Sequence, residues 1–155
     1  MRRPSKRLLL GLATALYAVG QTYTIATYAG GGPFPSSGLA SRVPVGSVAA
    51  IAADAAGNLY MALPQFHTVL KMNGASGTVT LVAGSGVSGY SGDGGPATSA
   101  QLGDCKGIAI DSTGAVYIAD ESFNVVRKVS GRVITTVAGN GKAGFSGDNG
   151  PASSA

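Results

Sequence analysis

Residues Val82 to Ala100 (VAGSGVSGYSGDGGPATSA) recur in closely similar form as Val137 to Ala155 (VAGNGKAGFSGDNGPASSA), 19 positions at an offset of 55 with no gap. A period a little above fifty residues marks stacked supersecondary units, each too small to bury its apolar surface alone. An earlier copy is eroded but legible. Asp54-Ala55-Ala56-Gly57-Asn58-Leu59-Tyr60-Met61-Ala62 matches Asp111-Ser112-Thr113-Gly114-Ala115-Val116-Tyr117-Ile118-Ala119, and Val69-Leu70-Lys71-Met72 matches Val126-Arg127-Lys128-Val129, both at an offset of 57. The slack between offsets falls in loops, where repeat arrays accept length changes.

The best copy predicts four strands, Lys106 to Asp111, Ala115 to Asp120, Val125 to Ser130 and Val133 to Ala138, each rich in β-branched residues. The connections carry turn chemistry. Asp111-Ser112-Thr113-Gly114 has Asp first and Gly fourth, as a type I turn prefers, and Gly131-Arg132 is a two-residue hairpin link. Glycine supplies 25 of the 155 residues, about twice the usual 7%, and it punctuates the strands. Because apolar residues occupy both faces of these strands, a lone four-stranded antiparallel meander leaves one apolar face wet. Radial packing of like sheets covers both faces, so the expected fold is all-β, with four-stranded blades of a β-propeller and the Gly-rich stretch Gly84 to Gly103 leading from one blade to the next.

The formal net charge of +4 comes from Arg2, Arg3, Lys6 and Arg7. Beyond residue 20, seven Lys plus Arg balance seven Asp plus Glu, which leaves no basic patch for nucleic acid. A basic start, the apolar run Leu8 to Val19 and the small residues Ala18 and Gly20 read as a signal peptide over residues 1–20. Twelve residues are short for a span of about 30 Å of hydrocarbon. The expected mature chain, 21–155, is secreted or periplasmic, with no membrane span after signal removal. Cys105 is the only cysteine, so no disulfide forms within the chain, and it reads as a small packed side chain rather than a reactive thiol.

Gly107-Ile108-Ala109-Ile110-Asp111, Gly114 to Asp120 (GAVYIAD) and Asn124 to Val129 (NVVRKV) resemble an NHL repeat. Val137-Ala138-Gly139 with Phe145-Ser146-Gly147-Asp148 resembles the linker between such repeats in exported bacterial proteins and in teneurin-type propellers. The resemblance covers nearly everything after Thr24 and implies a propeller, usually of six blades. It divides the mature chain into a degenerate first unit over about 25–78, a second over 79–132 and the start of a third over 133–155. Two blades fall short of any ring, so the chain reads as part of a propeller, with Tyr23 to Ala29 as an extra fourth strand and open blade faces as routes for self-association. Three two-blade copies would leave that strand and the last loop without a place.

Functionally, the resemblance implies a non-catalytic binding or scaffold module for a protein or glycan partner. The alternative is part of a propeller enzyme of the lyase or lactonase kind, with its catalytic residues in other blades. No catalytic or cofactor-binding residue is expected here. Asp93 and Asp148, in Gly-Asp-Gly-Gly and Gly-Asp-Asn-Gly loops, are calcium candidates, but each loop carries one carboxylate where calcium takes six to eight oxygens, so a turn role comes first. His67, the only histidine, aligns with Asn124 at a hairpin and reads as a turn residue. Asp54, Gly57, Asp111 and Gly114 read as structural turn residues. Asp120, Asn124 and Arg127 become Leu63, His67 and Leu70 in the first unit; their joint loss predicts that they form one hydrogen-bonded network.

Open apolar faces and an orphan strand predict that the isolated segment 21–155 is poorly stable as a monomer. The expected outcome is a broad thermal transition. A sharp cooperative melt from a sample shown by sedimentation to be strictly monomeric overturns this.

Overall fold

The computed structural model describes residues 37–39, 43 and 45–155, so the signal peptide expected over residues 1–20 and the strand expected at Tyr23 to Ala29 lie outside the described residues. Among the described residues nine strands form two antiparallel sheets: β1 (Ser37–Leu39), β2 (Ala50–Ala53), β3 (Leu59–Leu63), β4 (Thr68–Met72) and β5 (Thr78–Ala83) in the first, and β6 (Cys105–Ile110), β7 (Val116–Asp120), β8 (Val125–Ser130) and β9 (Val133–Ala138) in the second. The first sheet has the order β1-β5-β4-β3-β2 and the second β6-β7-β8-β9. There is no α-helix among the described residues, only three short 3-10 turns. The two sheets are adjacent propeller blades, and they do not close a ring.

Each blade is a meander because its links are too short for anything else. In the second, the Gly114 amide donates to the Asp111 carbonyl at 2.9 Å and closes the β6–β7 turn. Gly131 and Arg132 both have positive φ, 55° and 77°, the pairing that a two-residue hairpin with right-handed strand twist requires. His67 and Asn124 occupy the same left-handed conformation, φ 50° and 51°, which explains a histidine at an asparagine position. Just beyond each lies the same irregularity in register, between Val69 and Leu70 in one blade and between Val126 and Arg127 in the other.

The first blade differs from the four strands expected: β1 adds a fifth, pairing antiparallel with the outer edge of β5. The second blade shows why. Its outer strand β9 is also covered, by the linker: Gly94 N donates to Ile134 O, Ile134 N to Gly95 O and Ala97 N to Arg132 O, at 2.8 to 3.1 Å. Each segment leading into a blade therefore crosses to that blade's outer edge and caps unpaired backbone groups that would otherwise recruit other chains.

The principal core lies between the blades. Tyr60, Ala62, Val69 and Ala83 of the first face Cys105, Val116, Ile118, Val129 and Ile134 of the second, with Ala97, Ala100 and Leu102 of the linker filling the gap. Cys105 is fully buried there, and burial pushes its thiol up to about 12. A smaller core, Leu63, Leu70, Met72 and Val79 under Val43, covers the opposite face of the first blade.

The linkers touch the blades closely at two glycines. A Cβ on Gly84 would strike the His67 carbonyl, and one on Gly139 the Asn124 carbonyl; both glycines have positive φ, 97° and 89°. Gly84→Ala should destabilise by about 3 kcal/mol, combining left-handed strain with the clash. Gly57→Ala, also at positive φ but in open space, should cost only about 1 kcal/mol. Urea unfolding of the two variants beside the parent checks the difference; equal losses would show that the close approach carries no weight.

Candidate functional site

The side chains with chemistry to offer fall into two repeated sets and one junction. The repeated set is Asp, Tyr and Lys on one face of each blade. In the first, Tyr60 Oη donates to Asp54 Oδ2 at 3.3 Å, Lys71 Nζ lies 3.6 Å from the same oxygen, and the ammonium sits 5.1 Å from the centroid of the Tyr60 ring. In the second, Tyr117 Oη donates to Asp111 Oδ2 at 3.1 Å, with Lys128 Nζ 5.2 Å from the ring centroid. The turn hydrogen bonds fix the carboxylates. Asp54 Oδ1 accepts from the Ala56 and Asn58 amides and Oδ2 from Asn58 Nδ2, while Asp111 Oδ1 accepts from the Thr113 and Ala115 amides and from Thr113 Oγ1. These bonds, the Asn58 side chain's foremost for Asp54 and the Thr113 side chain's for Asp111, hold both carboxyls down to about 2. Tyr60 and Tyr117 in turn hold Lys71 and Lys128 above the ordinary lysine value. The triad was visible in the sequence, since 54, 60 and 71 return as 111, 117 and 128, all at an offset of 57.

The junction is built on Arg127, fully buried on β8. Its Nη2 meets Asp93 Oδ1 at 2.6 Å and Nε meets the same oxygen at 3.0 Å, while Nη2 and Nη1 donate to the carbonyls of Ser91 and Gln101 at 3.2 and 3.4 Å. The guanidinium carbon lies 5.1 Å from the centroid of the Tyr90 ring, which stacks on Phe123 and hydrogen-bonds Thr136 through its hydroxyl. Asp93 Oδ2 accepts from the Thr136 amide at 3.0 Å. Burial pushes the Asp93 carboxyl up, but the Thr136 and Arg127 hydrogen bonds and the Arg127 charge hold it below the ordinary carboxylate value.

The network expected among Asp120, Asn124 and Arg127 is therefore divided differently. Arg127 is long enough to pass along the sheet face to the linker, whereas Asp120 receives the Gly103 amide at 2.7 Å and Asn124 serves by its left-handed backbone. Asp120 and Arg127 thus hold the same linker through different residues, Asp120 at Gly103 and Arg127 at Ser91, Asp93 and Gln101. In the first blade Leu63 and Leu70 fill the corresponding places and are fully buried, and His67 reaches across to the Gly103 carbonyl through Nδ1 at 3.1 Å. Asp148 lies exposed in the second linker. Glu121 is exposed 4.0 Å from Lys106. Among the described residues no group of three or more His, Cys, Asp or Glu is placed to hold a metal ion.

Between the blades, above the principal core, opens a cleft of about 1160 Å³. Lys71 and Tyr60 stand on one wall, Arg132 and Val133 on the other, and the Gly94-Gly95-Pro96 stretch of the linker forms one end. Leu81, Val82, Val116 and Val129 supply an apolar floor. Arg132, together with Lys71 whose charge is shared with Asp54 at 3.6 Å, suits such a trough to an extended, partly apolar ligand carrying negative charge.

Two measurements follow from these contacts. Asp93→Asn weakens the charge compensation of a buried guanidinium and should cost about 2 kcal/mol, less than the 3–5 of a fully buried pair because the Asp93 side chain is 42% exposed. Denaturant unfolding reads this directly, and a loss below about 0.5 kcal/mol would place the linker's anchorage elsewhere. The carboxyls of Asp54, Asp93 and Asp111 all titrate lower folded than unfolded. Their stabilisation is thus complete above the unfolded value near pH 4 and drains away as pH falls toward about 2. The melting temperature should drop steeply between about pH 5 and 2, less steeply in Asp111→Asn.

The sequence pattern of the Teneurin NHL domain matches residues 54–147, a span that runs from the first Asp turn through β3 to β5 of the first blade and the whole of the second to the glycine before Asp148. No curated protein matches the chain. With more than half of its 155 residues covered by that pattern and two stacked four-strand meanders joined by a capping linker, the chain belongs to the teneurin NHL domain family.

Proposed function

We propose that the chain is a non-catalytic, exported binding module that presents its inter-blade cleft to a protein or glycan partner. The observation that carries this is the cleft itself, with Lys71 and Arg132 on opposite walls of an apolar trough. The occupation of the carboxylates supports it: Asp54, Asp93 and Asp111 accept hydrogen bonds on both oxygens and Asp120 on one, shaping a turn or holding a linker, and none of the four lines the cleft. No cofactor is part of the proposal, since both oxygens of Asp93 are engaged by Arg127 and Thr136. Export rests on the charged and apolar pattern of residues 1–20. Among the described residues no helix is long and apolar enough to cross a membrane.

The test is an array of acidic and neutral glycans and peptides probed with the parent and with Lys71→Ala/Arg132→Ala. The expected result is selective retention of acidic members that the double variant weakens by about tenfold, or about 1.4 kcal/mol. Retention indifferent to both substitutions overturns the cleft as the binding surface. Turnover of a retained lactone or uronide-containing glycan would instead favour an enzyme.

A further inference from the structure

Charge in the inter-blade cleft is unevenly available. Lys71 lies 3.6 Å from Asp54 and over the Tyr60 ring, so its charge is partly answered within its own blade. Arg132 differs. Among the described residues the ion pairs join Lys71 to Asp54, Lys106 to Glu121 and Arg127 to Asp93, and none reaches the exposed Arg132. Its backbone has φ 77°, a left-handed conformation costly for a residue with a side chain, and the first blade has Gly77, φ 66°, at the position 55 residues earlier. An arginine stands where the hairpin favours a glycine, and its carbonyl accepts from the Ala97 amide at 2.8 Å. Such a position gives the guanidinium a fixed base at the wall of the cleft.

Beside Gly114 the sign changes. That glycine borders both the cleft and a smaller groove of about 400 Å³ lined by Asp54 and Asp111. Both carboxyls are held down to about 2, so a run of negative charges laid along the cleft meets two fixed carboxylates there. The floor is aliphatic, formed by Leu81, Val82, Val116 and Val129. The linker at one end has its backbone committed: Gly94 N donates to Ile134 O, Gly95 O accepts from Ile134 N, and Pro96 O accepts from Ser99 N. A sugar carries a hydroxyl on almost every ring carbon, and each is costly to desolvate without a partner. Aliphatic side chains need none.

On the reading that this cleft is the binding surface, we propose that its ligand is an extended segment of a partner protein, aliphatic where it crosses the floor and carrying a single carboxylate that Arg132 receives. The guanidinium presents two parallel donors to that carboxylate. The cleft's volume of about 1160 Å³ exceeds the roughly 300–1,000 Å³ of small-molecule sites and suits a peptide with its side chains. Glycans and polyanions fit poorly, the first for want of polar partners and the second because of Asp54 and Asp111.

The test titrates the full chain with the peptide acetyl-Val-Leu-Thr-Val-Leu-Glu-amide and follows the methyl resonances of Leu81, Val116 and Val129 together with the Arg132 Nε–H. Saturable shifts are expected. Exchanging the peptide's glutamate for glutamine should weaken binding by about fivefold, Arg132→Gly should do the same, and the two changes together should cost no more than either alone. Arg132→Gly should melt close to the parent, because relief of the left-handed backbone offsets the added freedom of the unfolded chain. Additive losses overturn the role given to Arg132. A version of the peptide with three glutamates and a hexameric uronide should bind no better than the glutamine peptide. Tighter binding of either, read at the same methyls, overturns the ligand class and leaves the cleft as the binding surface. Methyl resonances that stay still with every probe, peptide and glycan alike, overturn both.

Discussion

The architecture hangs on the guanidinium of Arg127. Two packed sheets hold their apolar faces together by area alone, but area does not fix how a glycine-rich connection lies between them. One buried cation does so by drawing the Asp93 carboxylate and the Ser91 and Gln101 carbonyls onto the third strand. The linker so placed can lay Gly94 to Ala97 along β9 and drop Ala97, Ala100 and Leu102 into the gap between the blades. Edge capping and core filling are both consequences of where that charge sits.

The first blade solves the same problem without charge. Leu63 and Leu70 bury fully beside Met72, Val79 and Val43, and each fully buried leucine contributes about 1.5–3 kcal/mol by transfer from water. An apolar cluster of similar volume is often as stabilising as a buried ion pair, since desolvating the ions offsets much of their attraction. What it lacks is direction. A leucine accepts any apolar neighbour, whereas Arg127 demands an acceptor set within hydrogen-bond distance. The two blades thus meet their neighbours by different rules, one tolerant and one selective, and the difference is written in three positions that correspond at an offset of 57.

Strands and turns were legible because their causes are local. Val125 to Ser130 and Val133 to Ala138 coincide with β8 and β9, and the hairpin glycines stand where positive φ is needed. The Asp–Tyr–Lys triads were readable in principle, each member lying in a matched segment, but only the geometry joins a turn carboxylate to a strand phenol six residues on. The partner of Arg127 was not readable. Asp93 lies 34 residues away, while Asp120 and Asn124 are nearer in sequence and vary with Arg127 between the two units, so proximity and covariation both pointed to the wrong carboxylate. The capping strand β1 was hidden for a related reason: a three-residue segment at the edge of a sheet has no period of its own to detect.

The same non-local logic bears on where function can reside. In a repeat protein the strands of one unit are held by the next, so their side chains are spent on stacking, and variation free of that constraint collects at the seams. Here the seam supplies both the apolar floor of the cleft and its glycine-rich end, while Lys71 and Arg132 come from different blades. Their separation is set by how the linker seats the second blade on the first. A cleft assembled in this way responds to the latch beneath it. Loosening Arg127 from Asp93 would shift one cation relative to the other without touching either, which makes the spacing of the candidate binding groups a property of the inter-blade junction rather than of either blade alone.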